Sequence, residues 1–171
     1  MQLDATTLNI LKTFPTGKGP DGIGISGNDS KLFVTNTEDG SISVIDIETG
    51  KQSILKTGGK PELIHSNKDH SLLYISNFFG NKIHIIDTEN GEIVKEIENI
   101  KTPEEAILSE DENILYVVSF DLSEVYVYDA VTLEKKSISY ETGNKPIGVM
   151  PVGNKLYVSN YGDNSISIIN K

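Results

Sequence analysis

Apolar and polar residues alternate in short runs along the whole chain. Four segments, SISVID (41–46), KIHIID (82–87), EVYVYD (124–129) and SISIIN (165–170), set apolar against mostly polar side chains with a period of two. That period predicts half-buried strands. Ahead of each lies a run that is apolar on consecutive positions: Leu32-Phe33-Val34, Leu73-Tyr74-Ile75, Leu115-Tyr116-Val117 and Leu156-Tyr157-Val158. Such runs fit strands covered on both faces. Ahead of those, Pro20, Pro61, Pro103 and Pro146 each open another short segment, and proline suits a strand entry because it offers no ladder donor. A weaker fourth run follows each of the first three alternating ones: Ser53-Ile54-Leu55, Ile93-Val94 with Ile97, and Ser137-Ile138-Ser139. Polar turns separate the runs, among them GNDSK, NKDHS, ETGK (48–51) and ENGE (89–92), and no stretch sustains a helical period.

The landmarks recur in constant order, with proline-to-proline spacings of 41, 42 and 43 residues. Four short strands repeated at this interval predict an all-β, four-bladed propeller of four-stranded antiparallel blades. A solenoid would need atypical end caps, which the repeat does not offer. At the N-terminus Leu3-Asp4 stands where Ile45-Asp46 stands, and Thr16-Gly17 where Thr57-Gly58 stands. The chain therefore opens on a fourth strand without its own first three, and ends on three strands without a fourth. The expectation is a single domain, 1–171, with blades at about 20–60, 61–102, 103–145 and 146–171 completed by 1–19. One blade would be shared between the two ends, closing the ring and removing its open edges. A monomer is the favoured form. Two alternatives stay open: a half-ring that pairs with a second copy into a larger ring, and a piece of a longer propeller.

The motifs LFVTN (32–36), LYISN (73–77), LYVVS (115–119) and LYVSN (156–160) resemble those of the YVTN β-propeller repeat family. The resemblance covers essentially the whole chain, but the blades are fewer than the family usually shows. It implies that the first strands line a central axis, and that the loops joining strands two to three and four to one share one face. It also implies a periplasmic or cell-surface setting, although no signal peptide is visible in this chain.

Composition narrows the functions. Lysine supplies all 15 basic residues, against 25 acidic ones, for a formal charge of −10. An acidic chain without arginine lacks the planar fork that grips phosphates, so nucleic-acid partners are not expected. No apolar run approaches a membrane span. Cysteine is absent, which removes disulfides and thiol chemistry. At 18.7 kDa a compact monomer should expose about 8,300 Å².

Candidate site residues fall on the predicted loop face. Phe78, Phe79, Phe120 and Tyr161 would form a stacking surface, or else cap the gaps between blades. Glu62, Glu104 and Glu105 stand near the axis as ligand-binding candidates. Asp21, Glu62 and Glu104 are weak candidates for an axial cation, although no calcium-loop spacing is present and no cofactor is expected. Of the three histidines, His70 lies in a turn and His84 at an ordinary strand position. His65 is the one to watch, if it faces the axis. No catalytic motif is present, which favours a non-catalytic binding or scaffold propeller of unknown protein or small-molecule ligand, a minimal example of its kind. The alternative is a metal-assisted lactonase or lyase.

Overall fold

Every one of the 171 residues is described in the computed structural model, and every regular element is a strand. A short hairpin comes first, β1 (Gln2–Leu3) and β2 (Ile10–Lys12). Blade 1 is β3 (Pro20–Ile25), β4 (Lys31–Asn36), β5 (Ser41–Asp46) and β6 (Gln52–Lys56). Blade 2 is β7 (Pro61–Ser66), β8 (Leu72–Asn77), β9 (Lys82–Asp87) and β10 (Glu92–Ile97). Blade 3 is β11 (Pro103–Leu108), β12 (Ile114–Ser119), β13 (Glu124–Asp129) and β14 (Lys135–Glu141). Blade 4 holds β15 (Pro146–Val152), β16 (Lys155–Asn160) and β17 (Ser165–Asn170). Each is an antiparallel meander paired in chain order. No helix is present, so none is long and apolar enough to cross a membrane.

The repeat is faithful in three dimensions. Phe33 pairs with Val44, Tyr116 with Val127 and Tyr157 with Ile168, the same register each time. Alternate residues then project to the two faces of a blade. One face carries the motif aromatic and the two apolar residues that alternate on the third strand. The other carries the flanking Leu and β-branched residues. Phe33, Ile42 and Val44 of blade 1 thus meet Leu73, Ile75 and Ile86 of blade 2. Tyr74, Ile83 and Ile85 meet Leu115, Val117 and Tyr128 in the same way. Tyr116, Val125 and Val127 meet Val149, Leu156 and Val158. The core is therefore three separate apolar seams rather than one mass.

The acid that ends each third strand has a local task. Asp46 Oδ1 accepts the Thr49 amide at 2.7 Å and the Thr49 hydroxyl at 2.6 Å. Asp129 Oδ1 accepts the Val131 and Thr132 amides, and Asp4 Oδ1 those of Thr6 and Thr7. These Asx turns fold the chain back into the fourth strand.

The expected sharing of a blade between the two ends is not made. Blade 4 has three strands, and the N-terminal segment pairs with itself as β1–β2 instead of with β17. The segment is instead tied to blade 1 by hydrogen bonds. Lys12 Nζ donates to Ile47 O at 2.7 Å and Glu48 O at 2.9 Å, and Gly17 N donates to Asn36 Oδ1 at 3.0 Å. The innermost strands pack β3 on β7, β7 on β11 and β11 on β15. The exposed surface is 9,113 Å², more than a compact chain of this mass would leave.

Candidate functional site

Each first strand bulges just after its proline. The pairing slips between Pro20 and Ile23, Pro61 and Ile64, and Pro103 and Ala106. A bulge re-aims the residues inside it. Here those residues include Asp21, Glu62, Glu104 and Glu105, all named from the sequence. The loops around them are tied together. Thr37 N donates to Gly19 O, Phe78 N to Lys60 O, Phe120 N to Thr102 O and Tyr161 N to Lys145 O, at 2.8 to 3.0 Å. The two loop sets therefore share one end of the blades. The motif asparagine holds this end in place. Asn77 Oδ1 accepts the Lys60 amide at 2.8 Å and the Gly80 amide at 2.9 Å, while its Nδ2 donates to Gly58 O at 3.0 Å. Blade 3 has Ser119 in that place and uses Asn81 Oδ1, which accepts the Thr102 amide at 3.0 Å.

Glu62 and Glu104 face each other across blades 2 and 3. Glu62 is buried, and one of its carboxylate oxygens pairs with Lys60 Nζ. The other, Oε2, is buried without a partner. Burial, followed by the neighbouring Glu62 charge, pushes the Glu104 carboxyl up to about 7. A proton kept on Glu104 supplies the donor that Glu62 Oε2 otherwise lacks. Lys60 in turn has its pKa raised, chiefly by its hydrogen bond to Glu62. Asp21, Glu62 and Glu104 do not gather into a group of three able to hold a metal ion.

The pH dependence follows by sign. Glu104 is raised above its ordinary 4.5, so its contribution to stability is full below that value and lost as pH rises through about 7. The turn carboxylates run the other way. Hydrogen bonds from the turn lower Asp4, Asp46 and Asp129, and Asp111 falls to about 2. Their stabilisation is lost as pH falls below the usual aspartate range. Thermal melts between about pH 3 and 8 should therefore peak near, roughly, pH 5. Glu104→Gln places a permanent donor beside Glu62 Oε2. It should stabilise the chain by about 1–2 kcal/mol at about pH 8, a figure discounted for the exposed part of the group, and flatten the alkaline limb. A Glu104→Gln melt that falls at that pH contradicts this reading.

The aromatic candidates split. Phe78 packs edge-on against Phe79 at 5.1 Å and against Phe120 at 5.6 Å between ring centroids. Lys60 Nζ lies 5.6 Å from the Phe78 ring centre and Lys145 Nζ 5.5 Å from that of Phe120. The result is a ridge over blades 2 and 3, with Phe78 and Phe120 half-buried and Phe79 exposed. Tyr161 is exposed on blade 4 and lies outside these ring pairs. The two lysines that flank the ridge, Lys60 and Lys145, were not among the candidates named from the sequence. Their recurrence just before the prolines was the available signal.

Two histidines resolve differently. His65 Nε2 lies 2.8 Å from Glu105 Oε1, and the other Glu105 oxygen accepts the Val149 amide. Glu105 thus links the first strands of blades 2, 3 and 4. His84 is buried, with Nδ1 2.7 Å from Glu96 and Nε2 3.0 Å from Asn77 Nδ2. Burial lowers its pKa despite Glu96, and an Asn77 amide donating to Nε2 leaves the ring proton to Nδ1, beside Glu96. It replaces the hydroxyls of Ser43 and Ser167, which Asn36 and Asn160 Nδ2 reach in blades 1 and 4. Its role is structural.

Neither a family model nor a curated relative matches the sequence. Solved structures do resemble it. Hydrazine synthase from Kuenenia stuttgartiensis superposes over 95% of this chain with a TM-score of 0.75 at 25% identity. An inactive H270A variant of virginiamycin B lyase from Staphylococcus aureus, solved with quinupristin, covers 91% at 0.73 and 22% identity. A protein described as a 6-phosphogluconolactonase, from Bacteroides fragilis NCTC 9343, covers 89% at 0.74 and 16% identity. The fold is propeller-like. The chain spans about half the length of these proteins, 49%, 54% and 50% respectively. Likeness at this identity speaks for the scaffold, and activities are set by sites grafted on it.

Proposed function

We propose that the chain is a non-catalytic binding or scaffold module of the propeller fold, and that it takes its ligand on the loop face of blades 2 and 3. The observation that carries this reading is the Phe78–Phe79–Phe120 ridge. Its outer ring, Phe79, is 68% exposed and rests edge-on against Phe78. Lys60 and Lys145 flank it, and the Glu62–Glu104 pair lies beside it. An aromatic surface with charges of both signs at its rim suits a protein or small molecule that has a flat apolar face and a polar edge.

The test is a ligand screen by thermal shift and pull-down, followed by titration of any hit against Phe79→Ala and Lys145→Ala. Each substitution should weaken binding at least tenfold and leave the melting temperature nearly unchanged, because both side chains lie on the surface. A hydrolytic or lyase activity abolished by His65→Ala and indifferent to Phe79→Ala would overturn the reading. The same result would move the site to the His65–Glu105 pair.

A further inference from the structure

Four blades are joined by three apolar seams, and half of a fourth lies open. Tyr157, Ile166 and Ile168 occupy the places that Phe33, Ile42 and Val44 occupy in blade 1 and that Tyr116, Val125 and Val127 occupy in blade 3. Those six are at most 7% exposed, whereas Tyr157, Ile166 and Ile168 are 37%, 67% and 60% exposed. At the other end Ile23, whose counterparts Ala106 and Val149 are buried in seams, is 63% exposed. The two ends are the two halves of one seam, because each inner seam joins this pair of faces.

We propose that a second copy of this chain completes the ring. The two arcs would join head to tail through two identical seams, with β2 of each copy serving as the outer strand of the other's last blade. Three observations single out a second copy. First, the arc superposes on about half of each longer propeller over 89–95% of its own length, so it has the curvature of half a larger ring. An arc of that curvature leaves its ends apart, and two such arcs meet at both. Second, the exposed Tyr157, Ile166 and Ile168 at one end and Ile23 at the other correspond to the two sides of an inner seam, so a second copy of this chain presents the matching face at each end. A heterologous contact that closes after two copies gives a ring with a two-fold axis.

Third, the N-terminal hairpin shows how the outer strand would be exchanged. Asp4 N donates to Asn9 O at 2.9 Å, as Asp46 N donates to Lys51 O at 2.9 Å and Asp129 N to Glu134 O at 3.0 Å. The two-residue β1 therefore stands in for a third strand beside β2. β17 offers six residues and no partner on its outer edge. In the ring β17 displaces β1, and Asn170 takes the place of Asp4 opposite Asn9. An open edge next to an apolar face is otherwise a site of uncontrolled association.

The experiment is sedimentation or light scattering of the intact chain, with two sets of variants. The wild type should have twice the 18.7 kDa chain mass. Ile166→Lys, at a position exposed within one copy, should halve that mass and keep the β-sheet circular dichroism. The chain has no cysteine, so Asn9→Cys with Asn170→Cys gives the only thiols. On oxidation this variant should form a dimer band, which either single substitution does not give. Four outcomes would overturn the proposal: a wild type of single-chain mass, a disulfide closed within one chain, open-ended larger species, or a dimer indifferent to Ile166→Lys.

Discussion

Phe33→Ala should cost about 3–5 kcal/mol of stability, and Tyr157→Ala, at the same motif position, should cost less than about 1 kcal/mol in the single chain. Phe33 is wholly buried between blades 1 and 2, among Ile42, Val44, Leu73, Ile75 and Ile86. Removing its ring leaves a cavity walled by strands that are hydrogen-bonded on both sides and cannot collapse into it. Tyr157 has the same register and the same neighbours within its own blade, but no blade lies against it. Urea unfolding of the two variants, on the Ile166→Lys background to hold the chain as one copy, measures the difference directly. Equal losses would mean that a blade's own packing, not the seam between blades, sets its stability. In a two-copy ring the Tyr157→Ala cost should rise, since its face would then be covered.

That contrast also shows how far the sequence could be read. The alternation in SISVID and the apolar LFV run already define which side chains face forward and which backward, because strand geometry fixes the period. Fifteen of the seventeen strands, β3 to β17, follow from such local rules together with the turn-forming Asp46 and Asp129. Closure of the ring does not. It depends on the angle between blades, summed over the arc, and no local pattern encodes a small rotation per blade. The N-terminal segment matched a fourth strand well enough to predict pairing with β17. What it lacked was any sign that Lys12 would be held by the carbonyls of Ile47 and Glu48. The site was legible to the same degree. The bulged carboxylates and the loop aromatics were nameable one by one from the repeat. That Glu62 and Glu104 would lie side by side, while Glu105 reached His65, depends on which strand lies beside which across a seam.

Gly22→Ala should destabilise the chain by roughly 3 kcal/mol, the upper part of the range for overpacking, because the nearest obstacle is the backbone of β7. A Cβ at Gly22 would overlap Glu62 O and lie 3.0 Å from Ile64 N. The backbone of β7 cannot turn aside as a side chain can. The same contact is fastened by a buried hydroxyl. Thr35 Oγ1 accepts the Gly22 amide at 2.7 Å and donates to Glu62 O at 2.6 Å. Adding one methyl group therefore pushes β3 off β7 and loosens that bridge, and both effects displace Glu62. The displacement should be visible apart from the loss of stability. Burial, the larger cause of the raised Glu104 pKa, remains, but with Glu62 moved away the carboxyl that titrates near 7 should shift part of the way toward an ordinary glutamate. Urea unfolding gives the first effect, and the alkaline limb of the pH–stability curve gives the second. A Gly22→Ala chain that loses stability but keeps that limb intact would show that the close approach of blades 1 and 2 supports the fold without positioning the carboxylate pair.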